Sequence, residues 1–181
     1  MLDDSARHEL LSIARSTLEK YYEESRIPEY HTTRPELLVR CGAFVSLHRG
    51  EELRGCIGQI SPDRELYRIV QHCVLSAALE DTRFEPVTRE EIPELTVEIS
   101  ALTPLIRIRS INQIEVGKHG LYIERGLHRG LLLPQVATAY GWDRNTFLSQ
   151  TCRKAGLPES AWRDPETTIS AFSAEVFSET D

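Results

Sequence analysis

Two alternating runs joined by a short polar loop constrain the fold of this chain more than any other feature. The run GAFVSLH places Ala43, Val45 and Leu47 on one face, and ELRGCIG follows it in the chain. The loop between the two runs is polar and contains Gly50. Alternation with a period of two is typical of a half-buried strand, and a short glycine-containing loop between two such runs predicts a β-hairpin.

Three further segments predict strands. LTVEISAL, at residues 95–102, alternates apolar and polar side chains, and TISAFSAEVF, at residues 168–177, does the same and is expected to form one last strand. IEVGKHGLYIERG predicts a second hairpin with its turn around Gly117–Gly120. Hairpins with a period-two pattern indicate antiparallel sheets, one face of each buried.

Helices are predicted between these strands. Residues 5–23 carry an apolar stripe at three- and four-residue steps, and the Asp3-Asp4-Ser5 cluster offers N-caps for this helix. A second helix is expected to begin with Ser61 as N-cap and Pro62 at its first position. A third runs from Asp143, as N-cap, to the residue before Gly156. Hairpins and separated helices predict an α+β fold with mainly antiparallel sheets and flanking helices.

Composition narrows the class of protein. The chain has 181 residues, enough for one domain or two small lobes, and a formal net charge of -7. That charge argues against a general nucleic-acid binder, which needs a basic face. No basic start with a continuous apolar run is present, and no apolar run is long enough for a membrane span, so we expect a cytoplasmic protein that binds no membrane.

The spacing of the cysteines and histidines predicts neither a metal site nor a cofactor. The four cysteines form no Cys-x-x-Cys pair, and the six histidines form no His-x-x-x-His or Glu-x-x-His motif. Phosphate-loop and dinucleotide-binding motifs are absent from the sequence. We therefore expect free thiols in a reducing compartment and no bound cofactor.

Within the hairpin, ELRGCIG raises a question of chemistry. On a strand, Arg54 and Cys56 face the same way at a Cα separation of roughly 6.6 Å. A guanidinium beside a thiol favours the reactive thiolate, and Gly55 and Gly58 leave space for a substrate or another backbone. The alternative is that Cys56 packs in the core while the two glycines accommodate a helix or a bulge. The residues alone leave both interpretations open.

Two loops carry other candidate residues. In EDTRFEPV, Asp81 and Arg83 form either an ordinary ion pair or part of a cleft beside Arg54 and Cys56. In HTTRP, His31 lies among hydroxyl and arginine side chains that could bind an anion. His31 is also a candidate general base for Cys56, provided that the fold brings the two together.

The segments GAFVSLHRGEELRGCIG, DTRFEPVTREEIPELTVEIS, VGKHGLYIERG, GLLLPQVA and FLSQTCRKAGLP together resemble the AMMECR domain family, whose prokaryotic members are called AmmeMemoRadiSam system protein A. The resemblance runs from about residue 8 to residue 179, and LRGCIG is its hallmark. It implies a single AMMECR-type domain over residues 1–181, with a larger and a smaller lobe and a cleft between them near LRGCIG. It also adds Gln135, in a third matched motif, to the candidate binding residues.

The resemblance implies more about fold than about activity, and two functions remain open. The first is a binding or adaptor module that acts with a Memo-like protein and a radical S-adenosylmethionine protein. Its ligand would be a peptide or a small molecule. The second is a thiol-dependent enzyme in which Cys56, with Arg54, modifies a peptide or small substrate, and Asp81 or His31 orients the reacting groups.

Overall fold

The computed structural model describes residues 2–60 and 64–181. Short 3-10 helices occur at Arg89–Glu94, Ile111–Gln113 and Ala161–Arg163. The α-helices and strands of these residues are, in chain order, α1 (Asp4–Glu24), α2 (Pro35–Leu38), β1 (Ala43–Arg49), β2 (Glu52–Gln59), α3 (Leu66–Leu79), β3 (Leu95–Leu102), β4 (Ile106–Arg107), β5 (Gly120–Arg125), β6 (His128–Leu132), α4 (Pro134–Ala139), α5 (Arg144–Lys154), β7 (Thr168–Phe172) and β8 (Ala174–Ser178).

The strands form two four-stranded sheets, which confirms the predicted α+β class. The first sheet has the order β2-β1-β3-β8, and the second has the order β4-β7-β5-β6. The pairs β1–β2, β1–β3, β5–β6 and β5–β7 are all antiparallel. The predicted hairpin at β1–β2 is confirmed, with a shift of register between Leu47 and His48.

The chain divides into two compact units. The first comprises Met1–Leu102 together with Glu175–Asp181, and the second comprises Thr103–Ala174. In the first unit, α3 packs on β1, β2 and α1, so the apolar face of β1 lies in the core. In the second unit, α5 packs on β5 and β6 around the buried Phe147. Each unit thus has its own apolar core.

Two of the three predicted helix starts are confirmed by their caps. The Asp3 carboxylate accepts the Ala6 N–H at 2.7 Å, and the Asp143 carboxylate accepts the Thr146 N–H at 2.7 Å. These bonds satisfy amides that no helical carbonyl reaches. The third helix, α3, begins at Leu66, and the predicted cap at Ser61 and Pro62 lies outside the described residues.

The prediction of one last strand was wrong. Residues 168–177 form two strands: β7 lies in the second sheet and β8 lies in the first, on either side of Ser173. Alternation continues through Ser173, and a period-two pattern does not report which sheet a strand joins. The predicted turn at Gly117–Gly120 was also misplaced, because it precedes β5, and the hairpin turn lies between Arg125 and His128.

Candidate functional site

The strand β2 places Cys56 directly opposite Ser46 of β1, on the sheet face that points away from α3. The Ser46 hydroxyl donates a hydrogen bond to the Cys56 sulfur at 3.2 Å. All four cysteines are free thiols, and Cys56 is the one that is only half-buried. The half-buried sulfur therefore faces a hydroxyl donor across the strand pair.

The other three thiols are enclosed. Burial raises the pKa of Cys41 to about 11 and the pKa of Cys73 to about 12. Burial also raises the pKa of Cys152. Because the thiolate is the nucleophilic form, burial disfavours reaction at these three cysteines in the folded chain.

Arg54 is bound to a carboxylate that lies far away in the sequence. Its Nε and Nη2 donate to the two carboxylate oxygens of Glu91 at 2.8 and 3.1 Å, and its Nη1 donates to the Glu85 carbonyl at 2.8 Å. The guanidinium and the Thr88 N–H together lower the pKa of Glu91 to about 2. Among the described residues, no hydrogen bond joins Arg54 to Cys56. The arginine of LRGCIG therefore fixes the 3-10 helix at Arg89–Glu94 against β2.

Asp81 and Arg83 form hydrogen bonds with the backbone of Cys56 at the outer edge of β2. The buried Asp81 carboxylate accepts the Cys56 N–H at 2.8 Å, and Arg83 donates to the Cys56 carbonyl at 3.3 Å. Arg83 also binds both carboxylate oxygens of Asp81, at 2.9 and 2.7 Å. Arg83 and the Cys56 N–H hold the pKa of Asp81 well below its usual range. Since β2 is an edge strand of its sheet, this pair occupies backbone groups that would otherwise be open at the edge.

The two glycines of LRGCIG both lie close to other parts of the protein. A Cβ atom on Gly55 would lie 2.1 Å from the Ala77 carbonyl oxygen of α3. A Cβ atom on Gly58 would lie 2.1 Å from Cδ1 of the Phe44 ring, which covers that glycine. The space next to each glycine is therefore filled by the protein itself, with a helix at Gly55 and an aromatic ring at Gly58.

The remaining two candidates lie elsewhere in the chain. His31 is exposed, and its neighbours Tyr30, Thr32 and Arg34 bind Glu9 of α1 at 3.0, 3.1 and 2.6 Å. No hydrogen bond joins His31 to Cys56 among the described residues. Gln135 is exposed in the first turn of α4, which belongs to the second unit.

The structure adds three residues to those that the sequence offered as candidate site residues. Ser46 lies between Cys56 on β2 and Glu98 on β3, and His48 lies two residues further along β1. The His48 Nε2 is 4.0 Å from a Glu98 carboxylate oxygen, and this nitrogen is enclosed without a hydrogen-bond partner in the described residues. We call these four residues, Ser46, His48, Cys56 and Glu98, the Cys56 face. The alternation of β1 and β3 is the signal that places them together.

Two further features are missing from the part of the chain that the structure describes. In that part of the chain, no three His, Cys, Asp or Glu side chains converge as a metal site would require. None of its helices combines the length and the apolar character needed to cross a membrane.

Comparison with known proteins identifies the family. The sequence profile of the AMMECR1 family matches residues 11–177. The chain belongs to the AMMECR1 family. A protein from Thermococcus gammatolerans is 44% identical to it, over 94% of this chain and 88% of that protein. A protein from Methanothermobacter thermautotrophicus is 42% identical, over 94% of this chain and 92% of its own length.

A solved structure agrees with this AMMECR1 fold. The crystal structure of an uncharacterized protein from Pyrococcus horikoshii matches with a TM-score of 0.88 and 39% sequence identity. The match covers 98% of this chain and 93% of that one. Both units of the fold are therefore shared with the archaeal relative.

Proposed function

We propose that this AMMECR1 protein is a binding or adaptor module that acts with a Memo-like protein and a radical S-adenosylmethionine protein. One observation carries the proposal: Arg54, Asp81 and Arg83 direct their hydrogen bonds to other parts of the protein. Arg54 holds Glu91, and the other two hold the backbone of Cys56. A catalytic acid or base needs a proton-transfer atom within reach of a substrate, and these ion-paired groups have structural partners instead.

The Cys56 face is the surface that we propose for binding. Its side chains lie on adjacent strands at fixed separations, and strands position polar groups more accurately than loops do. Glu98 is partly exposed and has no ion pair shorter than the 4.0 Å contact with His48 among the described residues. We therefore expect the partner to present a cationic or hydrogen-bond-donating group to this carboxylate.

Calorimetric titration with the two purified partner proteins of the same organism tests this function. We expect Glu98→Gln to weaken binding about tenfold, as loss of a central charged contact does. Glu90→Gln is the matched control, because Glu90 is exposed on the 3-10 helix and loses the same charge. If neither partner binds the unmodified chain, the adaptor function is wrong. If both variants weaken binding equally, the Cys56 face is not the contact surface.

A thiol-dependent enzyme is the second candidate, and the environment of the sulfur favours it. Cys56 is the half-buried thiol, and Ser46 donates to it. In this function Cys56 is the nucleophile that modifies a peptide or small substrate. Arg54 acts through Glu91 as a positioning residue and does not touch the sulfur.

Alkylation of the four thiols, resolved by mass spectrometry, tests the enzyme. We expect Cys56 to react in the folded chain at a pH of about 7, while the three buried thiols react only after unfolding. Ser46→Ala should slow alkylation of Cys56, since it removes the hydroxyl donor. A Cys56 that stays unreactive until the chain unfolds would exclude a cysteine nucleophile in the resting protein.

A further inference from the structure

The second unit contains a cavity of about 240 Å³ that the proposed function does not use. It lies where the end of β7 meets the segment that enters β4. Its lining includes Ile106, Arg107, Gln113, His119, Ala171 and Phe172, all of which belong to the second unit. Cavities for drug-sized ligands begin at about 300 Å³, so this one suits a smaller molecule.

One side of the cavity is apolar. The Phe172 ring is buried and covers Gly120, where an added Cβ atom would lie 2.2 Å from the ring. Ile106 is 69% exposed, which leaves an unpartnered aliphatic side chain at the cavity. An apolar group that entered here would remove part of this aliphatic surface from water, and such burial is favourable.

The polar side chains of the cavity present donors, because their acceptor atoms are already occupied. The Nδ1 of His119 accepts the Glu115 N–H at 3.1 Å, so the neutral ring carries its proton on Nε2. The Oε1 of Gln113 accepts two backbone N–H groups, at 2.8 and 3.1 Å, so its amide NH₂ remains a donor. Neither His119 Nε2 nor the Gln113 NH₂ has a hydrogen-bond partner among the described residues.

The charge at this cavity is positive. Arg107 is exposed and forms no ion pair with any other residue of the described chain. The carboxylate of Glu115, next to the His119 turn, is already paired with Lys118 at 3.0 Å. An arginine, an imidazole N–H and an amide NH₂ at one cavity match the acceptor oxygens of an anion.

We propose that this cavity binds a small carboxylic acid with an apolar tail. Arg107 pairs with the carboxylate, His119 and Gln113 donate to its oxygens, and the tail lies against the exposed Ile106 side chain. The source of the carboxylate is a free acid or the carboxyl end of a peptide, since both present the same chemistry.

Titration of the full chain with isocaproate, followed by amide-resolved NMR, tests this site. We expect saturable shifts at the residues that line the cavity, with a dissociation constant of about 1 mM or below. Isocaproamide has the same tail without the charge and should bind at least about tenfold more weakly. Acetate has the charge without the tail, and each methylene lost should weaken binding about fourfold.

Two arginine variants make the test specific. Arg107→Gln should weaken isocaproate binding at least about tenfold. Arg109→Gln is the matched control, because Arg109 is exposed on the same segment, does not line the cavity and loses the same charge. N-acetylleucine carries the tail and carboxylate as a peptide end does. If it binds more tightly than isocaproate, the natural source is a chain terminus, and if not, it is a free acid.

Three outcomes would overturn the site. The first is the absence of shifts at the lining residues with isocaproate at about 10 mM. The second is equal binding of the acid and its amide, and the third is equal weakening by the two arginine variants. None of these measurements involves the Cys56 face or a protein partner, so failure here leaves the proposed function untouched.

Discussion

Replacing Gly55 by alanine tests whether LRGCIG is a packing motif. The new Cβ atom would lie 2.1 Å from the Ala77 carbonyl oxygen, and α3 must move by about 1 Å to restore a carbon–oxygen distance of about 3.3 Å. Overpacking of this kind costs about 1–3 kcal/mol, and a contact with backbone belongs at the upper end. Alanine also lowers the conformational entropy of the unfolded chain, which stabilises the folded state by about 0.7 kcal/mol. We expect a net loss of about 2 kcal/mol.

Gly58→Ala is the matched control within the same motif. Its Cβ atom would also lie 2.1 Å from a neighbour, but that neighbour is the half-buried Phe44 ring, which can rotate aside. The cost should largely cancel the gain from the stiffer unfolded chain, so we expect a change below about 1 kcal/mol. The two variants therefore separate contact with a helix backbone from contact with a side chain.

Pulsed alkylation across a urea series measures how much each alanine variant destabilises the first unit. Cys73 lies buried on α3 and becomes reactive when that unit opens, whereas Cys152 on α5 reports the second unit. With a urea dependence of about 2 kcal/mol per molar, Gly55→Ala should lower the Cys73 midpoint by about 1 M. Equal midpoints in the two alanine variants would refute the packing argument.

Three further predictions concern ion pairs of the first unit, including one near its C-terminal end. Asp81→Asn should destabilise the chain by about 2 kcal/mol at neutral pH, since a buried charged acceptor is lost. The pKa of Asp81 is lower in the folded chain than its unfolded value of 3.8. The stabilisation is therefore fully present above pH 3.8 and is lost as the pH falls below that value. The urea midpoints of the variant and the parent should converge in acid. Arg54→Gln should lower the urea midpoint but leave the alkylation rate of Cys56 unchanged, and a changed rate would show that the guanidinium acts on the sulfur. Glu179→Gln should also lower the midpoint, because its carboxylate binds Arg15 and the Val97 N–H, and an unchanged midpoint would contradict this role.

The sequence predicts those parts of the fold that depend on neighbouring residues. The caps at Asp3 and Asp143 act over three residues, and the alternation of β1 and β3 follows from a single strand. The split between β7 and β8 could not be predicted in this way. Ser173 continues the same alternation, and the choice of sheet depends on pairing with distant strands.

The same limit applies to the candidate site. The sequence predicts that Arg54 and Cys56 share a strand face, but the partner of Arg54 is Glu91, 37 residues away. It also leaves open whether Asp81 and Arg83 form only a local pair. In the structure they do form that pair, and they additionally hold the backbone of Cys56. Spacing therefore points to these residues as candidates, whereas their hydrogen-bond partners follow from the tertiary fold.

The crossing of the chain between the sheets has a consequence for synthesis on the ribosome. The second unit is an insertion between β3 and β8, and its entry and exit are joined where the Thr103 N–H donates to the Ser173 carbonyl at 2.8 Å. Until β8 emerges, one edge of β3, with Val97 and Ile99, has no strand beside it. At about 5–20 residues per second this interval lasts on the order of 10 s. A nascent chain therefore leaves the backbone N–H and C=O groups at this edge of β3 open to neighbouring chains until the insertion is complete.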